Sequence, residues 1–372
     1  MKEGWEYKKL GEVCEIYQPQ TIASNHLKKD GKYPVFGANG MIGRYDSYNH
    51  EEPEVLLCCR GATCGAINVS FPFSWINGNA MVVKPINDSY LKAFLRYLLL
   101  TLDYSHIITG AAQPQITRKS LSPVTVPVPP LPEQQRIVDY LDSAFAKIDA
   151  MKANAEKSLN EAKALFQASL KEMLEPKEGW EKKKLGEIAT KISDGSHNPP
   201  AGLFFSEYEM LSSKNIRNDL FNFDNPRYLS KEDFEKEDKR TKLEKGDVLL
   251  TIVGAGLGEC CVYNFDKKIV FQRSVSVIKP SYDLILSRFL MYTLQNNYIS
   301  IRNASNGAAQ KGIYLKQLAT YTVWIPPLSE QQRIVATLDS LKSKVDRLQA
   351  NFEKISQECD ALKQAILRKV FE

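Results

Sequence analysis

Two long stretches of the chain carry apolar residues at alternating spacings of three and four positions. Between residues 334 and 370 the apolar stripe passes from Ile334 through Leu348 to Val370. A less strict stripe of the same kind runs from Leu141 to Met173. This spacing places the apolar side chains along one face of a helix and is typical of coiled coils. The pattern predicts two long helices that pack against each other.

The rest of the chain shows short apolar runs separated by glycine, proline and asparagine, which is typical of strands and turns. Predicted strands include 55–59 and 247–253, and short helices are expected at 91–102 and 284–295. Proline-rich segments precede both long helices, where proline suits the entry into a helix. We therefore expect two mixed globular parts, each followed by one long helix.

The same order of segments occurs twice because the chain is a tandem repeat. Residues 2–13 recur at 177–188 with ten of twelve positions identical, and PPLPEQQRIV at 129–138 recurs as PPLSEQQRIV at 326–335. The offsets are 175 and 197 residues, so the second copy carries about 22 extra residues, which we expect to be spread over several sites. The chain's end also resembles the junction between the copies, which predicts a cyclic repeat with a pseudo-twofold axis and adjacent termini.

These patterns predict an α+β protein in which two mixed α/β domains are separated by two long antiparallel coiled-coil helices. We expect the first domain over 1–131, a central spacer helix over 132–175, the second domain over 176–328 and a C-terminal spacer helix over 329–372. An unbroken central helix would be roughly 65 Å long.

Composition narrows the class of protein. The 372 residues are 43% hydrophobic and 25% charged, as in ordinary globular proteins. No apolar run reaches the roughly 18 residues of a membrane span, and the Lys/Glu-rich start lacks a secretion signal, so we expect a cytoplasmic protein with no membrane partner. Seven irregularly spaced cysteines favour buried, reduced thiols. A net charge of +5 permits a polyanionic partner without requiring one.

Motifs for catalysis lack their structural context. The glycine loop 254–258 precedes a predicted strand, whereas a nucleotide-binding loop precedes a helix. The NPP triplet at 198–200 lacks the accompanying glycine motif of a methyltransferase. The four histidines form no ligand pair, and the charge run 231–245 is interpreted as a solvated face. We therefore expect no catalytic residue, no metal and no cofactor in this chain.

A set of polar, glycine-containing loops differs between the two copies. Each loop alone is a weak signal, because most polar loops only connect elements. Arg, Asn, Gln, Ser and Thr on such loops suit the reading of base edges, and Lys suits phosphates. The candidate DNA contacts are Asn39, Arg60, Thr63, Asn79, Gln113, Gln115, Arg118 and Lys119 in the first copy, and Ser196, His197, Lys214, Asn215, Arg273, Gln310 and Lys311 in the second.

The segment that opens each long helix is nearly identical in both copies, although the loops are not. Residues that are alike within one chain should serve two copies of one partner, or the helix junctions themselves. Capping and packing at the junction is therefore the alternative to partner binding. The candidate docking residues are Glu133, Gln134, Arg136, Glu330, Gln331 and Arg333.

Two variable globular regions with a repeated G-W-E-x-K-K-L-G-E opening, each followed by a P-P-L-x-E-Q-Q-R-I-V helix, resemble the specificity subunit (S, HsdS) of a type I restriction–modification system. The resemblance spans the whole chain. The segments DGSHNPP at 194–200 and YPVFGANG at 33–40 resemble recurrent openings of target recognition domains in that family.

The resemblance implies that each globular part reads one half of a bipartite site in double-stranded DNA. It further implies that the helices set the half-site spacing and dock two modification (methyltransferase) subunits, which restriction subunits then join. S-adenosylmethionine, ATP and Mg would belong to those partner subunits, so this chain is expected not to be an enzyme.

Two other functions stay open at this point. A scaffold or peptide-binding protein would assemble partners on the helix pair without contacting DNA, and sequence-specific DNA binding by the assembled complex would exclude it. A free-standing methyltransferase is opposed by the missing cofactor motifs, and binding of S-adenosylmethionine by the isolated chain would support it.

Overall fold

The computed structural model describes residues 4–110, 113–217, 219–297 and 312–372. The chain forms two compact units, Met1–Glu156 with Asn351–Glu372, and Lys157–Ala350. Both boundaries fall inside long helices, so each unit includes part of each long helix. No helix among the described residues combines the length and the apolar character needed to span a membrane.

The first copy of the repeat consists of short strands and four helices in its described residues. The helices are α1 (Leu10–Val13), α2 (Lys92–Thr101), α3 (Arg118–Leu121) and α4 (Leu131–Met173), with a 3-10 turn at Ser24–His26. The strands are β1 (Glu6–Lys9), β2 (Cys14–Tyr17), β3 (Tyr33–Gly37), β4 (Gly40–Tyr45), β5 (Val55–Cys58), β6 (Ile67–Val69), β7 (Trp75–Ile76), β8 (Ala80–Pro85) and β9 (Thr125–Val128). The predicted central helix is confirmed by α4, which has 43 residues.

The second copy repeats this order and adds further elements. Its described helices are α5 (Leu185–Ile188), α6 (Lys231–Thr241), α7 (Ser287–Asn296), α8 (Leu315–Thr320) and α9 (Leu328–Phe371), with a 3-10 turn at Ser213–Asn215. The strands are β10 (Glu181–Lys184), β11 (Ala189–Asp194), β12 (Glu209–Leu211), β13 (Ile216–Arg217), β14 (Leu220–Phe221), β15 (Arg227–Tyr228), β16 (Val248–Thr251), β17 (Cys260–Val262), β18 (Ile269–Phe271), β19 (Val275–Pro280) and β20 (Thr322–Ile325).

The sheets of the two copies have the same topology. The first copy has the strand orders β2-β8-β5-β6, β4-β3-β7 and β1-β9, and the second has β11-β19-β16-β17, β15-β12-β18 and β10-β20. In each three-stranded sheet the central strand pairs antiparallel with one neighbour and parallel with the other. The α+β class and the duplicated mixed domains that the sequence predicts are therefore confirmed.

The central strands of the four-stranded sheets are buried on both faces, which explains their unbroken apolar sequences. The vicinal pair Cys58–Cys59 lies at the end of the central strand β5, and the pair Cys260–Cys261 lies on the edge strand β17. All seven cysteines are free and six of them are buried, as the sequence predicts. Burial raises the pKa of the Cys261 thiol to about 12, so this group is neutral and packs as an apolar side chain.

The two long helices run antiparallel, as the pseudo-twofold symmetry of the repeat predicts. In the first unit Asp149 pairs with Lys363 at 2.5 Å, and Lys152 pairs with Asp360 at 3.6 Å. Residue numbers rise along α4 as those of their partners fall along α9. The paired helices therefore present their charged flanks to each other beside the apolar seam.

The end of α9 completes the core of the first unit. The ring of Phe371 lies 5.3 Å from that of Phe94, and Trp5 packs against the same core. In the second unit Trp180 packs at 6.2 Å from Phe289 in the equivalent place. Both ends of the chain thus lie on one core, as the cyclic repeat predicts.

The extra residues of the second copy lie at several sites, as the sequence predicts, and most of them lie on the two sides of β15. β3 begins at Tyr33 and β12 at Glu209, an offset of 176 residues. β5 begins at Val55 and β16 at Val248, an offset of 193. Most of the extra residues therefore lie between β12 and β16, where they form the hairpin β13–β14 before β15 and helix α6 after it. Since α2 begins at Lys92 and α7 at Ser287, an offset of 195, a few more residues are added later in the chain. β15 pairs with β12 as β4 pairs with β3, so the strand order is kept.

Candidate nucleic-acid interface

In the first unit, the loop after β5 pairs with the segment that precedes α3. Arg60 and Gln115 form an isolated antiparallel bridge, and the N–H of Gly61 donates to the carbonyl of Pro114 at 3.0 Å. Arg60 and Thr63 are exposed and Gln115 is half-buried. The backbone pairing therefore holds these candidate side chains on one polar surface.

Helix α3 begins within the same surface and carries two exposed cations. The Oγ1 of Thr117 accepts a hydrogen bond from the N–H of Ser120 at 3.1 Å, which caps the helix. Arg118 and Lys119 follow in its first turn and are exposed, as is Gln113 just before it. The structure thus brings most of the first-copy candidates together.

The two candidate asparagines of the first copy have different surroundings. Asn39 is exposed in the turn between β3 and β4, and its Oδ1 accepts from Nδ2 of Asn68 at 3.0 Å. The carbonyl of Asn79 accepts from the N–H of Cys59 at 3.3 Å, next to Arg60. Its side-chain Oδ1 is buried and has no hydrogen-bond partner within the described residues. A buried acceptor without a hydrogen-bond donor is energetically costly, and its burial leaves no surface on this oxygen for an external donor.

The second unit repeats this arrangement with different side chains. Val253 and Gly312 form the bridge that is equivalent to the one made by Arg60. Lys316 is exposed in the first turn of α8, as Lys119 is in α3. The backbone frame is therefore common to both units, whereas most of the side chains it presents are not.

Beside this bridge the second unit has a cleft of about 540 Å³. Both apolar and charged side chains line it. The apolar lining residues are Ile252, Val253, Ile313 and Leu315, and the polar ones include Asp194, His197, Arg240, Arg273, Tyr314 and Lys316. One carboxylate therefore faces several basic side chains across an apolar floor.

The buried carboxylate of Asp194, the last residue of β11, organises the basic side of the cleft. Its Oδ1 accepts from Nη2 of Arg240 at 2.5 Å and from Nε at 3.2 Å, and its Oδ2 lies 2.7 Å from Nε2 of His197. The side chain of Asp194 is 9% exposed, that of Arg240 44% and that of His197 51%. Asp194 therefore holds two side chains in place while both stay accessible.

Sequence reasoning missed Arg240 and the role of Asp194. Arg240 belongs to the charge run 231–245, and helix α6 within that run is mostly exposed, as predicted. The available signal was the insertion itself, since extra residues in one copy alone are candidates for a function specific to that copy.

Two of the second-copy candidates face inward. Ser196 is buried, and its carbonyl accepts from the N–H of Arg273 at 2.9 Å. Asn215 is also buried: its Nδ2 donates to the carbonyl of Asp224 at 2.9 Å, and its Oδ1 accepts from the N–H of Ser212 at 3.0 Å. Asn215 closes its own loop and both residues have little exposed surface, which argues against DNA contacts by these two side chains.

Lys214 and Arg273 are exposed on loops that lie next to each other. The N–H of Ser213 donates to Oγ of Ser274 at 3.2 Å and so joins the two loops. No cluster of three or more His, Cys, Asp or Glu side chains is placed to hold a metal ion in the part of the chain that the structure describes. The candidates Gln310 and Lys311 lie outside the described residues.

The glutamines among the docking candidates are structural. Gln134 and Gln331 are fully buried, and each amide makes three hydrogen bonds to backbone groups of its own unit. Oε1 of Gln134 accepts from the N–H of Leu91, and that of Gln331 from the N–H of Leu286, both at 2.9 Å, just before α2 and α7. Their burial favours the junction alternative, which explains why the two glutamines are alike.

The charged docking candidates are accessible. Arg136 pairs with Glu133 at 2.7 Å and Arg333 with Glu330 at 3.5 Å, and the two arginine side chains are 77% and 72% exposed. Exposed pairs of this kind contribute little to stability. Folding alone therefore gives a weak reason for the presence of both arginines.

Comparison with known proteins extends these observations. The family model described as the type I restriction modification DNA specificity domain matches the chain twice, over residues 2–161 and 177–357. The specificity subunit of the type I restriction enzyme EcoKI from Escherichia coli (strain K12) is 27% identical over 361 residues, which cover 90% of this chain and 72% of that protein. That of EcoBI, also from Escherichia coli, is 26% identical over 328 residues, with coverage of 80% and 68%.

A solved structure from work on complex assembly and conformational transition of the type I R-M system shares the fold. It is 20% identical and has a TM-score of 0.73, and the match covers 100% of this chain and 98% of that one.

Proposed function

This chain belongs to the family of type I restriction modification DNA specificity domains, and we propose that each of its two copies reads one half of a bipartite site in double-stranded DNA. The observation that carries the proposal is one backbone frame with two sets of side chains. Arg60 and Gln115 stand where the second unit has Val253 and Gly312. Two readers of the same build and different surfaces suit a target with two different halves.

Methylome sequencing of a host with and without this gene tests the proposal. We expect a split motif whose methylation depends on the gene. Because the complex could bind without methylating, DNA binding by the chain co-purified with its modification subunit is measured in parallel. If neither a gene-dependent motif nor sequence-specific binding is found, the proposal is wrong and a scaffold function is favoured.

We assign the first target recognition domain to 1–131 and the second to 176–328, with spacer helices over 132–175 and 329–372. The onset of α4 and of α9 supports these limits. Replacing 1–131 by the same domain of a relative should change one half of the methylated motif, and replacing 176–328 should change the other. A change in both halves after one replacement would contradict independent reading.

The proposed partners are two modification subunits, with restriction subunits joining through the assembled complex. The exposed Arg136 and Arg333, at equivalent positions, support two copies of one partner. S-adenosylmethionine, ATP and Mg would be bound by those subunits, and this chain would supply recognition rather than catalysis.

The antiparallel helices are proposed to set the distance between the half-sites. A heptad inserted after Glu156 in α4 and another after Ala350 in α9 would keep both apolar stripes in phase and add about 10 Å. We expect the unspecific spacer of the methylated motif to lengthen by roughly one to three base pairs, given about 3.4 Å per base pair. A heptad in α4 alone is the control, since it would lose the register of pairs such as Asp149 with Lys363. An active double insertion that keeps the original spacing would contradict the proposal.

A further inference from the structure

The inserted helix α6 delivers one arginine to the cleft of the second unit. Its N-terminus is capped by Ser230, whose Oγ accepts from the N–H of Asp233 at 3.1 Å. Near its C-terminus, Nζ of Lys191 donates to the carbonyl of Arg240 at 2.6 Å. The first contact ends the helix locally, and the second attaches its C-terminal end to β11, which holds the backbone of Arg240 in place.

Asp194 engages only one edge of the Arg240 guanidinium. Nε donates to the carbonyl and to Oδ1 of Asp194 at 2.9 and 3.2 Å, and Nη2 donates to Oδ1 at 2.5 Å. A guanidinium has five N–H donors. The two hydrogens of Nη1 and the second one of Nη2 are not used by Asp194. One hydrogen of Nη1 and this hydrogen of Nη2 lie along the Nη1–Nη2 edge of the same plane.

Two parallel N–H donors match the two acceptors, O6 and N7, that guanine presents in the major groove. Because Asp194 fixes the plane of the guanidinium, little conformational freedom is left to lose on binding. Ile252, Val253 and Leu315 line the same cleft and offer no side-chain donors. Arginine side chains bind phosphates as well as bases, so the feature that favours a base edge here is the fixed guanidinium plane beside these apolar side chains.

We propose that Arg240 reads a guanine in the half-site of the second unit and that Asp194 is its positioning residue. The inference deepens the proposed function, because it names a base that the second unit selects. It also explains why an insertion is present in this copy alone: the insertion adds a reading side chain to a backbone frame that both copies share.

The test uses the chain co-purified with its modification subunit, after methylome sequencing has defined the two half-sites. Methylation rates are measured on the wild-type duplex and on duplexes in which each base pair of the second half-site is replaced in turn. For the wild-type protein we expect one guanine whose replacement by adenine lowers the rate by about 5- to 150-fold. A second half-site without a guanine would overturn the proposal.

Three substitutions separate base reading from other roles. Arg240→Lys keeps the charge but removes the planar guanidinium. The rate ratio between guanine and adenine at that one position should therefore fall to within about threefold, while the ratios at every other position stay unchanged. Arg240→Gln should shift the preference there from guanine toward adenine, which Gln contacts through N6 and N7. Asp194→Asn should weaken discrimination at the same position. Lys239→Ala, which removes a neighbouring charge from α6, is the control.

The contrary outcomes are distinct. If Arg240 contacts a phosphate, its substitution would lower the methylation rate on all duplexes alike and reduce the salt dependence of that rate. If Arg240 has only a structural role, its substitution would lower thermal stability without changing sequence specificity. Either result would overturn the guanine assignment while leaving the proposed function intact. If the wild-type complex itself shows no sequence preference, the proposed function fails instead.

Discussion

Both units connect a short helix to a long one through a tyrosine and an aspartate. The hydroxyl of Tyr97 donates to Asp142 in the first unit, and that of Tyr292 donates to Asp339 in the second. In the second unit an arginine, Arg288 of α7, also bonds to the aspartate of this contact. Its Nη2 donates to the carboxylate of Asp339 at 2.6 Å.

Arg288 attaches the inserted hairpin to the rest of the second unit. Its Nη1 donates to both carboxylate oxygens of Asp219 at 2.9 Å, and Asp219 lies between β13 and β14. The position equivalent to Arg288 in α2 is occupied by Ala93. The comparison shows that the extra segments of the second copy are held by ion pairs of their own. The insertion carries Asp219 toward Arg288 and Arg240 toward Asp194, whereas the first unit has neither pair.

The largest expected effect comes from removing the hairpin attachment. Arg288→Met leaves the carboxylate of Asp219, which is 11% exposed, without its cation. Breaking a buried pair from one side costs about 3–5 kcal/mol in free energy of unfolding. Denaturant-induced unfolding of the wild-type protein and the variant at pH 7 measures this loss. A loss below about 1 kcal/mol would show that the hairpin is held by other contacts.

The same variant has a predicted pH dependence. Burial raises the pKa of Asp219 despite the opposing effect of Arg288, and removing Arg288 should raise it further. A carboxyl whose pKa is higher in the folded state favours folding when protonated, and this contribution is lost as the pH rises through that pKa. The stability loss of Arg288→Met should therefore shrink as the pH falls from 7 toward about 4. Arg288→Met with Asp219→Asn is the control and should show little of this dependence.

The next effect should be equal in the two units. Gln134→Leu and Gln331→Leu each leave buried backbone groups without partners, and we expect a loss of about 2–3 kcal/mol in free energy of unfolding for each. The three hydrogen bonds of Gln134 and of Gln331 have the same geometry, so the two losses should agree within about 1 kcal/mol. Clearly unequal losses would show that the junctions are not equivalent.

A smaller effect should distinguish the units again. Lys279 pairs with buried Asp247 at 2.9 Å, whereas Lys84 lies 3.8 Å from buried Glu54, which also contacts Lys92 at 3.5 Å. Lys279→Met should therefore cost about 2 kcal/mol in free energy of unfolding, and Lys84→Met less than about 1 kcal/mol. Burial raises the pKa of both carboxyls, so both losses should decrease at acid pH. Equal losses would contradict the argument that Lys92 still neutralises Glu54 after Lys84 is removed.

The smallest effect on stability should accompany a large effect on assembly. Reversing both exposed arginines, Arg136→Glu with Arg333→Glu, should change the free energy of unfolding by less than about 1 kcal/mol. Co-purification with the modification subunit should nevertheless fall about tenfold if these residues dock it. Lys147→Glu with Lys344→Glu makes the same charge change at equivalent exposed positions farther along the two helices and is the matched control. Co-purification that is equal in both variants would remove the arginines from the docking surface.

The sequence by itself determined the duplication and the long helices. A helix is made of contacts between near neighbours, so the apolar stripe ending at Val370 already predicts its face and its antiparallel partner. The repeated PPLxEQQRIV segment located the start of α4 and α9 within a few residues. The candidate loops could be found as well, since turn residues act locally.

Only the tertiary structure decided which polar side chains are accessible. Asn215 and Asn39 are both asparagines in polar loops. The side chain of Asn215 is nevertheless buried and hydrogen-bonded within its own loop, whereas Asn39 is exposed. Likewise, Arg240 belongs to a charged run and acquires a fixed orientation from Asp194, 46 residues earlier in the chain. Strand pairing and burial join residues that are distant in sequence. Composition and spacing cannot specify such contacts, because their energy depends on which surfaces meet.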